Sequence, residues 1–168
     1  MKGNLFMKFY FIVLLAVVMA GCSSTKNKGE EYRIITGSIT KETLLTAEFP
    51  WFERNYRAYI VTENELDQLK SLLSESISFK VFSGTWCSDS RMVLPRFYKL
   101  MDTLEFKRYE VFGLDRKKTS PEKIEQNYNI NVVPTFIVFR DGKEIGRILE
   151  QPFKSLHEDF IEILKRED

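Results

Sequence analysis

The segment Gly84–Arg91 reads Gly-Thr-Trp-Cys-Ser-Asp-Ser-Arg, and Cys87 within it is the residue best suited to do chemistry. Cys87 directly precedes Ser88–Leu104, whose apolar residues recur with a helical period. The first backbone N–H groups of a helix have no partner within the helix, so its amino terminus favours negative charge. A cysteine there is biased toward the thiolate, the form that attacks a disulfide. Cys87 is therefore predicted to be a nucleophile for thiol–disulfide exchange; the alternative is a buried, inert thiol.

Four neighbours of Cys87 are expected to shape this site. Arg91, one turn into the helix, would support a thiolate, and the Ser90 hydroxyl would donate a hydrogen bond to the sulfur. Asp89 would oppose them, because its carboxylate repels a thiolate and competes for the same N–H groups. Trp86 would line the adjacent groove. With serine at position 90 the site has one thiol, so a mixed disulfide on Cys87 would need another thiol to release it.

The elements that would position these residues alternate between strand and helix. Alternating apolar residues predict strands at 77–82, 109–112, 136–139 and 144–149, the last two joined by the turn Asp141-Gly142. Apolar residues at helical spacing predict helices at 50–59, 65–73, 88–104 and around 156–164. Ser120-Pro121 predicts the cap and first position of a short helix that ends near Tyr128, and 32–39 is compatible with a strand. This order indicates an α/β layer fold.

Three features in order along the chain resemble the thioredoxin superfamily. Trp86-Cys87 follows an apolar strand and opens a helix, and Pro95 lies within that helix eight residues after Cys87. Val133-Pro134-Thr135 matches the segment that carries the family's cis-proline. The resemblance covers about Ile77 to Ile163. It implies a thioredoxin-like α/β fold, with a central mixed sheet, flanking helices and, in this chain, an N-terminal extension.

The resemblance also implies roles for single residues. In that fold the turn at the cis-proline lies beside the active-site cysteine, so Val133, Pro134 and Thr135 are expected at the substrate groove. Ser90 stands where the family has its second cysteine, and Val81 stands where thioredoxin has a buried aspartate. The resemblance therefore implies a monothiol thiol–disulfide oxidoreductase. The alternative is a thioredoxin-fold binding or scaffold lipoprotein without redox turnover, and a thiol peroxidase is disfavoured because Cys87 is not in a Thr-x-x-Cys motif.

The amino-terminal residues resemble the export signal of a bacterial lipoprotein. Lys2 and Lys8 flank the start of the apolar run Phe9–Ala20, which is too short to cross about 30 Å of hydrocarbon as a helix. Cys22 stands where such a protein receives its lipid. The protein is thus expected in the cell envelope, attached to a membrane through the lipid on Cys22 and facing away from the cytoplasm. In a Gram-negative cell that location would be the periplasm or the outer membrane.

The predicted organisation of the chain has four parts: a signal peptide at 1–21, a tether at 22–31, an N-terminal extension at 32–62 and a thioredoxin-like domain at 63–168. Expected partners are a cysteine-containing exported protein or a small disulfide, and an external thiol reductant. The 25 basic and 24 acidic residues give no electrostatic reason to expect nucleic acid. No cofactor and no metal site are expected, since a single free cysteine and a single histidine offer too few ligands. His157, Glu122 and Glu125 are expected at the surface.

Overall fold

A mixed five-stranded sheet forms the centre of residues 33–166, which are the residues that the computed structural model describes. The predicted signal peptide, Cys22 and the tether lie outside these residues. The strands are β1 (Gly37–Ser38), β2 (Ile77–Ser83), β3 (Tyr109–Gly113), β4 (Thr135–Arg140) and β5 (Lys143–Leu149). Their spatial order is β1-β3-β2-β4-β5; β2 and β3 are parallel, and the other neighbours are antiparallel. The predicted α/β fold with a mixed sheet is confirmed.

Helices cover the sheet and carry most of the remaining core. The α-helices of the described residues are α1 (Lys41–Leu44), α2 (Pro50–Ala58), α3 (Glu63–Leu72), α4 (Ser88–Thr103) and α5 (Leu156–Leu164). Helix α2 packs against α4, and α3 packs against α5, which in turn rests on β4 and β5. The predicted long helix after Cys87 is therefore present as α4, and Pro95 lies inside it.

The sheet has an apolar core on each face because successive strand residues point to opposite sides. Phe79 and Val81 of β2 belong to the larger core beneath the helices, where the Phe79 ring lies 5.0 Å from that of Phe160. Phe82 belongs to a smaller core on the other face, and its ring stacks 5.4 Å from that of Phe112. Trp86 and Cys87 pack against this smaller core, so the active-site segment contacts that face of the sheet.

The N-terminal extension is part of the larger core. Phe52 is fully buried, and the hydroxyl of the buried Tyr98 in α4 donates a 2.8 Å hydrogen bond to the Ile39 carbonyl. The helix predicted at 50–59 is present as α2, and its aromatic residues pack inward, with Tyr56 half-buried beside Phe52. The sequence is compatible with a strand at 32–39; of the described residues 33–39, only Gly37–Ser38 pairs as a strand, antiparallel to β3.

The prediction of a helix that begins at Ser120 is wrong about where the helix starts and about its type. Lys123 adopts a left-handed conformation with φ of 53°, and the helix begins only after it, as a 3₁₀ turn at Ile124–Tyr128. The Ser120 hydroxyl donates to Glu125 Oε2 at 2.6 Å instead of capping a helix. Glu125 is consequently buried, only 4% exposed, so the prediction of a solvated Glu125 is also wrong, whereas Glu122 is exposed.

The expectation that His157 lies at the surface is wrong as well. Its side chain is buried between α5 and the start of α3, with Nε2 3.0 Å from Glu65 Oε1 and Nδ1 2.9 Å from the Tyr59 hydroxyl. Glu65 also closes the capping box of α3, because its carboxylate accepts hydrogen bonds from the backbone N–H and the hydroxyl of Thr62. The hydrogen bonds from Thr62, together with His157, lower the pKa of Glu65 to about 2.

Candidate active site

Cys87 is the N-cap residue of α4 and lies at the carboxyl end of β2. Its backbone N–H donates to the Gly84 carbonyl at 2.9 Å, and its own carbonyl accepts the first helical hydrogen bond, from Arg91 N at 3.0 Å. The sulfur is half-buried and does not bond to a helix N–H, so no side chain caps the amino terminus of α4. Uncapped N–H groups at this position favour negative charge beside the thiol.

The segment that contains Pro134 lies against the sulfur. The Val133–Pro134 peptide bond is cis, as predicted, and the Cys87 thiol donates to the Val133 carbonyl, with 3.2 Å between Sγ and O. Thr135 is buried, and its hydroxyl donates to the Val132 carbonyl at 2.7 Å. The structure thus places Cys87, Val133, Pro134 and Thr135 together. The carbonyl at the sulfur favours the protonated thiol, in opposition to the helix terminus.

Trp86 closes one side of the site. Its indole N–H donates to the Leu114 carbonyl at 2.9 Å, and its ring lies over Gly84. A Cβ atom at position 84 would be only 2.7 Å from the indole nitrogen, so glycine is required there. The guanidinium of Arg116 lies 5.5 Å from the centre of the Trp86 ring on the exposed side. The indole is therefore fixed in place by three contacts.

Ser90 is fully buried, and its hydroxyl binds the backbone of the preceding turn. Its hydroxyl oxygen accepts a 3.1 Å hydrogen bond from Gly84 N. Within residues 33–166 no hydrogen bond joins Ser90 to the Cys87 sulfur, although the sequence predicted one. Because Ser90 holds the turn that precedes Cys87, its contribution to the sulfur is indirect.

Asp89 makes a contact that the sequence did not predict. Its Oδ1 accepts a 2.7 Å hydrogen bond from the side-chain amide of Gln151, in the turn after β5. That turn is joined to the cis-proline, since Glu150 N donates to the Pro134 carbonyl at 2.7 Å. Arg91, the remaining predicted neighbour, is partly buried, and its carbonyl accepts from the Asn55 side chain at 2.8 Å. The sequence pointed to Gln151 only as a polar residue two positions after the end of β5.

Thr85 connects the site to the N-terminal extension. Its buried hydroxyl donates to the Arg33 carbonyl at 2.7 Å and accepts from Ile35 N at 3.2 Å. The segment from Arg33 to Ile35 is thus hydrogen-bonded to Thr85, two positions before Cys87. Sequence reasoning assigned no role to Thr85, because its partners lie about 50 positions earlier in the chain.

Residues 33–166 contain no group of three or more His, Cys, Asp or Glu side chains arranged to hold a metal ion. None of the helices described there is long and apolar enough to cross a membrane.

The chain matches the family model for thioredoxin over residues 60–162. Thioredoxin H2 of Arabidopsis thaliana is 32% identical over 68 residues, which cover 40% of this chain and 48% of that protein. Mitochondrial thioredoxin-3 of Saccharomyces cerevisiae is 26% identical over 99 residues, or 58% of this chain and 74% of that protein. The chain spans about half of the length of the curated relatives that it matches: the matched segments cover from 48% to 63% of four of these proteins.

A solved structure with a similar fold comes from Pseudomonas aeruginosa, and its function is unknown. It aligns with a TM-score of 0.52 over 68% of this chain and 80% of that one, at 12% identity. At this identity the likeness concerns the fold alone. The fold and the position of Cys87 at the end of β2 are thus consistent with the family match.

Proposed function

The chain belongs to the thioredoxin family, and on that premise we propose that it performs thiol–disulfide exchange through Cys87 while tethered outside the cytoplasm. The observation that carries the proposal is the position of one sulfur. Cys87 Sγ lies at the uncapped amino terminus of α4, half-exposed, and 3.2 Å from the carbonyl that precedes cis-Pro134. This arrangement combines a nucleophile with a backbone edge on which an extended substrate segment can lie.

In the proposed exchange the Cys87 thiolate attacks one sulfur of a substrate disulfide. A new bond forms between Cys87 and that sulfur, the substrate S–S bond breaks, and the second substrate sulfur leaves as a thiolate that takes up a proton. The Val133 carbonyl loses its hydrogen bond when Cys87 gives up its proton. The Val133 carbonyl is then free to accept an N–H from the substrate backbone.

Release from the mixed disulfide requires a thiol from outside the chain, because Ser90 cannot form a disulfide. An external thiol attacks the mixed disulfide, displaces one sulfur as a thiolate and becomes disulfide-bonded itself; a second such thiol completes the reduction of the substrate. The proposed partners are therefore a cysteine-containing exported protein or a small disulfide, together with an external thiol reductant.

The proposed location is based on the amino-terminal sequence. The basic residues Lys2 and Lys8, the apolar run Phe9–Ala20 and Cys22 follow the pattern of a lipoprotein signal. A lipid on Cys22 would hold the domain at a membrane surface in the cell envelope. It would also leave Cys87 as the only free thiol of the mature chain, since the sequence has two cysteines.

The test is the pH profile of Cys87 alkylation in the chain carrying Cys22→Ser. We expect labelling to reach half of its maximal rate at a pH well below about 8.5, the value of an ordinary cysteine thiol. A disulfide-linked reporter should then form a mixed disulfide that the matched Cys87→Ser variant does not form. Slow labelling with a midpoint at or above about 8.5 would contradict the proposal.

A second candidate function is a thioredoxin-fold binding or scaffold lipoprotein without redox turnover. It is favoured by the hydrogen bond from the Cys87 thiol to the Val133 carbonyl, which stabilises the protonated form, and by the charge of Asp89. This function predicts that Cys87→Ser leaves partner binding unchanged. The alkylation experiment separates the two candidates, because only exchange requires an accessible thiolate.

A further inference from the structure

The loop Asp115–Thr119, which follows β3, is fixed to the active-site segment. Its first neighbour, Leu114, accepts the indole N–H of Trp86 at 2.9 Å and donates its own N–H to the Ser83 carbonyl at 2.8 Å. Arg116 then places its guanidinium over the Trp86 ring at 5.5 Å. Because Trp86 is adjacent to Cys87 in the chain, this loop contacts the residue next to the active-site cysteine. We refer to residues 115–119 as the basic loop.

Asp115 holds the basic loop in a defined shape. One carboxylate oxygen accepts from the backbone N–H of Lys117 at 2.8 Å and of Thr119 at 2.9 Å, and the other accepts from the Thr119 hydroxyl at 3.1 Å. These hydrogen bonds, those from Thr119 first, lower the pKa of Asp115 below its ordinary value. The Asp115 carboxylate is thus directed at the loop's own backbone, and Lys117 is close enough to lower its pKa further. The loop carries three consecutive basic residues, Arg116, Lys117 and Lys118, of which the first two are exposed and the third is half-buried.

These three cations are not paired with other elements. Within residues 33–166 none of them forms a salt bridge, whereas Lys80, Arg147 and Lys154 each pair with a glutamate. Two carboxylates of the site lie on other elements: Asp89, bonded to Gln151, on α4, and Glu150 in the turn that contacts Pro134. With three cations and the single carboxylate of Asp115, the loop that contacts Trp86 has a formal charge of +2, although the chain as a whole is nearly neutral.

We propose that the basic loop is a docking surface for acidic residues that flank the disulfide of a protein substrate. This inference rests on the proposed exchange through Cys87 and names the substrate class: disulfides in acidic segments. Exposed ion pairs add little to affinity, so the main effect is on encounter, where a charged site raises association rates by roughly tenfold or more. Such steering is strongest at low salt because mobile ions screen exposed charges.

An acidic peptide fits this surface better than a lipid surface does. Basic residues can be attracted to an anionic bilayer, but insertion at its interface needs apolar side chains, and the loop offers only Asp115, Thr119 and the three cations. The most exposed apolar side chains of the described residues, Ile60 and Phe153, lie on other segments. Docking at the loop also places a partner's chain beside Cys87.

The experiment compares three synthetic peptides that carry the same reporter disulfide, flanked by glutamate, by glutamine or by lysine. The full chain with Cys22→Ser should react about tenfold faster with the glutamate peptide than with the lysine peptide at low salt. The double variant Lys117→Gln/Lys118→Gln should reduce this preference to about threefold or less and leave the glutamine peptide unaffected. The matched control Lys70→Gln/Lys143→Gln makes the same change in net charge at exposed positions elsewhere and should retain the preference.

Equal rates for the glutamate and lysine peptides, or an equal loss of preference in the control variant, would overturn the inference. Loss of affinity for anionic vesicles in the double variant, with unchanged peptide preference, would overturn it in favour of a membrane surface. A chain that reacts with none of the peptides would refute the proposed exchange instead. In that case the docking proposal is tested by titrating the Cys87→Ser chain with disulfide-free versions of the three peptides. Only the glutamate peptide should bind.

Discussion

Replacing Asp89 with asparagine isolates the effect of one charge on Cys87. Asp89 follows Cys87 by two positions in the first turn of α4, and Gln151 donates to its carboxylate. Asparagine keeps an oxygen for Gln151 and removes the charge. Two unit charges about 8 Å apart repel by about 0.5 kcal/mol in water and by about 2 kcal/mol at an effective dielectric constant of about 20. Repulsion of this size between Asp89 and a Cys87 thiolate predicts that Asp89→Asn raises the ratio of thiolate to thiol at a given pH by about twofold to about thirtyfold.

The assay is the rate of alkylation as a function of pH, in a chain that carries Cys22→Ser. The midpoint of the profile should move to lower pH in Asp89→Asn, and the gap from the parent chain should narrow in high salt. Gln151→Ala should act in the opposite direction, because a released carboxylate can turn toward the uncapped N–H groups of α4. In the Asp89→Asn background, Gln151→Ala should have little further effect.

Two results would refute this reasoning about Asp89. One is an Asp89→Asn chain that is labelled no faster than its parent at any pH. The other is a Gln151→Ala effect of equal size with and without the carboxylate, since the two side chains would then act independently.

Three further predictions concern neighbouring features. Ser90→Cys places a second thiol one helical turn after Cys87 and should shorten the lifetime of a mixed disulfide by about tenfold or more, measured by mass spectrometry. Thr85→Val removes two hydrogen bonds and should lower the free energy of unfolding in urea by about 1–3 kcal/mol. Glu65→Gln should destabilise the fold at neutral pH: the lowered pKa of Glu65 means that its contribution is complete above 4.5 and is lost as the pH falls through about 2. The difference in Tm between Glu65→Gln and the parent should shrink over that range.

Each of these predictions has a control or a contrary outcome. Ser90→Ala removes the same hydrogen bond to Gly84 without adding a thiol, so an equal change in lifetime would exclude resolution by the new cysteine. Thr85→Ser keeps the hydroxyl and should remain close to the parent in stability. A Tm difference for Glu65→Gln that is constant from pH 7 to about 2 would show that the carboxylate charge is not what matters.

The parts of the site that the sequence revealed are those fixed by local patterns. The apolar run of β2 and the helical spacing after Cys87 placed the cysteine at a strand–helix junction. The resemblance of the Val-Pro-Thr segment to the thioredoxin superfamily then implied a cis-proline beside it. Local sequence did not show that Gln151 reaches Asp89 across 62 positions, or that Thr85 binds the chain at Arg33. Such contacts depend on how the hairpin and the extension lie over the sheet, and this arrangement is a property of the whole fold.

The sequence also failed to predict which ionisable side chains are buried. Glu125 was expected in solvent because its spacing suited an exposed helix face, but the left-handed Lys123 turns the chain so that its carboxylate meets Ser120 inside. His157 was expected at the surface because it stood alone in the sequence. Its partners, Glu65 and Tyr59, come from a different helix and its flanking segment, and periodicity within one helix carries no information about them.

The hydrogen bonds of Thr85 would limit how far Cys87 can lie from a membrane anchor at Cys22. They attach the Arg33 carbonyl to Thr85, two positions before Cys87, and Arg33 follows Cys22 by only eleven positions. Even fully extended, that much polypeptide spans no more than about 40 Å. With a lipid on Cys22, as proposed, Cys87 would work within a thin layer above the bilayer, where it meets disulfides on membrane-attached chains at high effective concentration. The number of residues between the anchor and Arg33 would then select substrates by their height above the membrane.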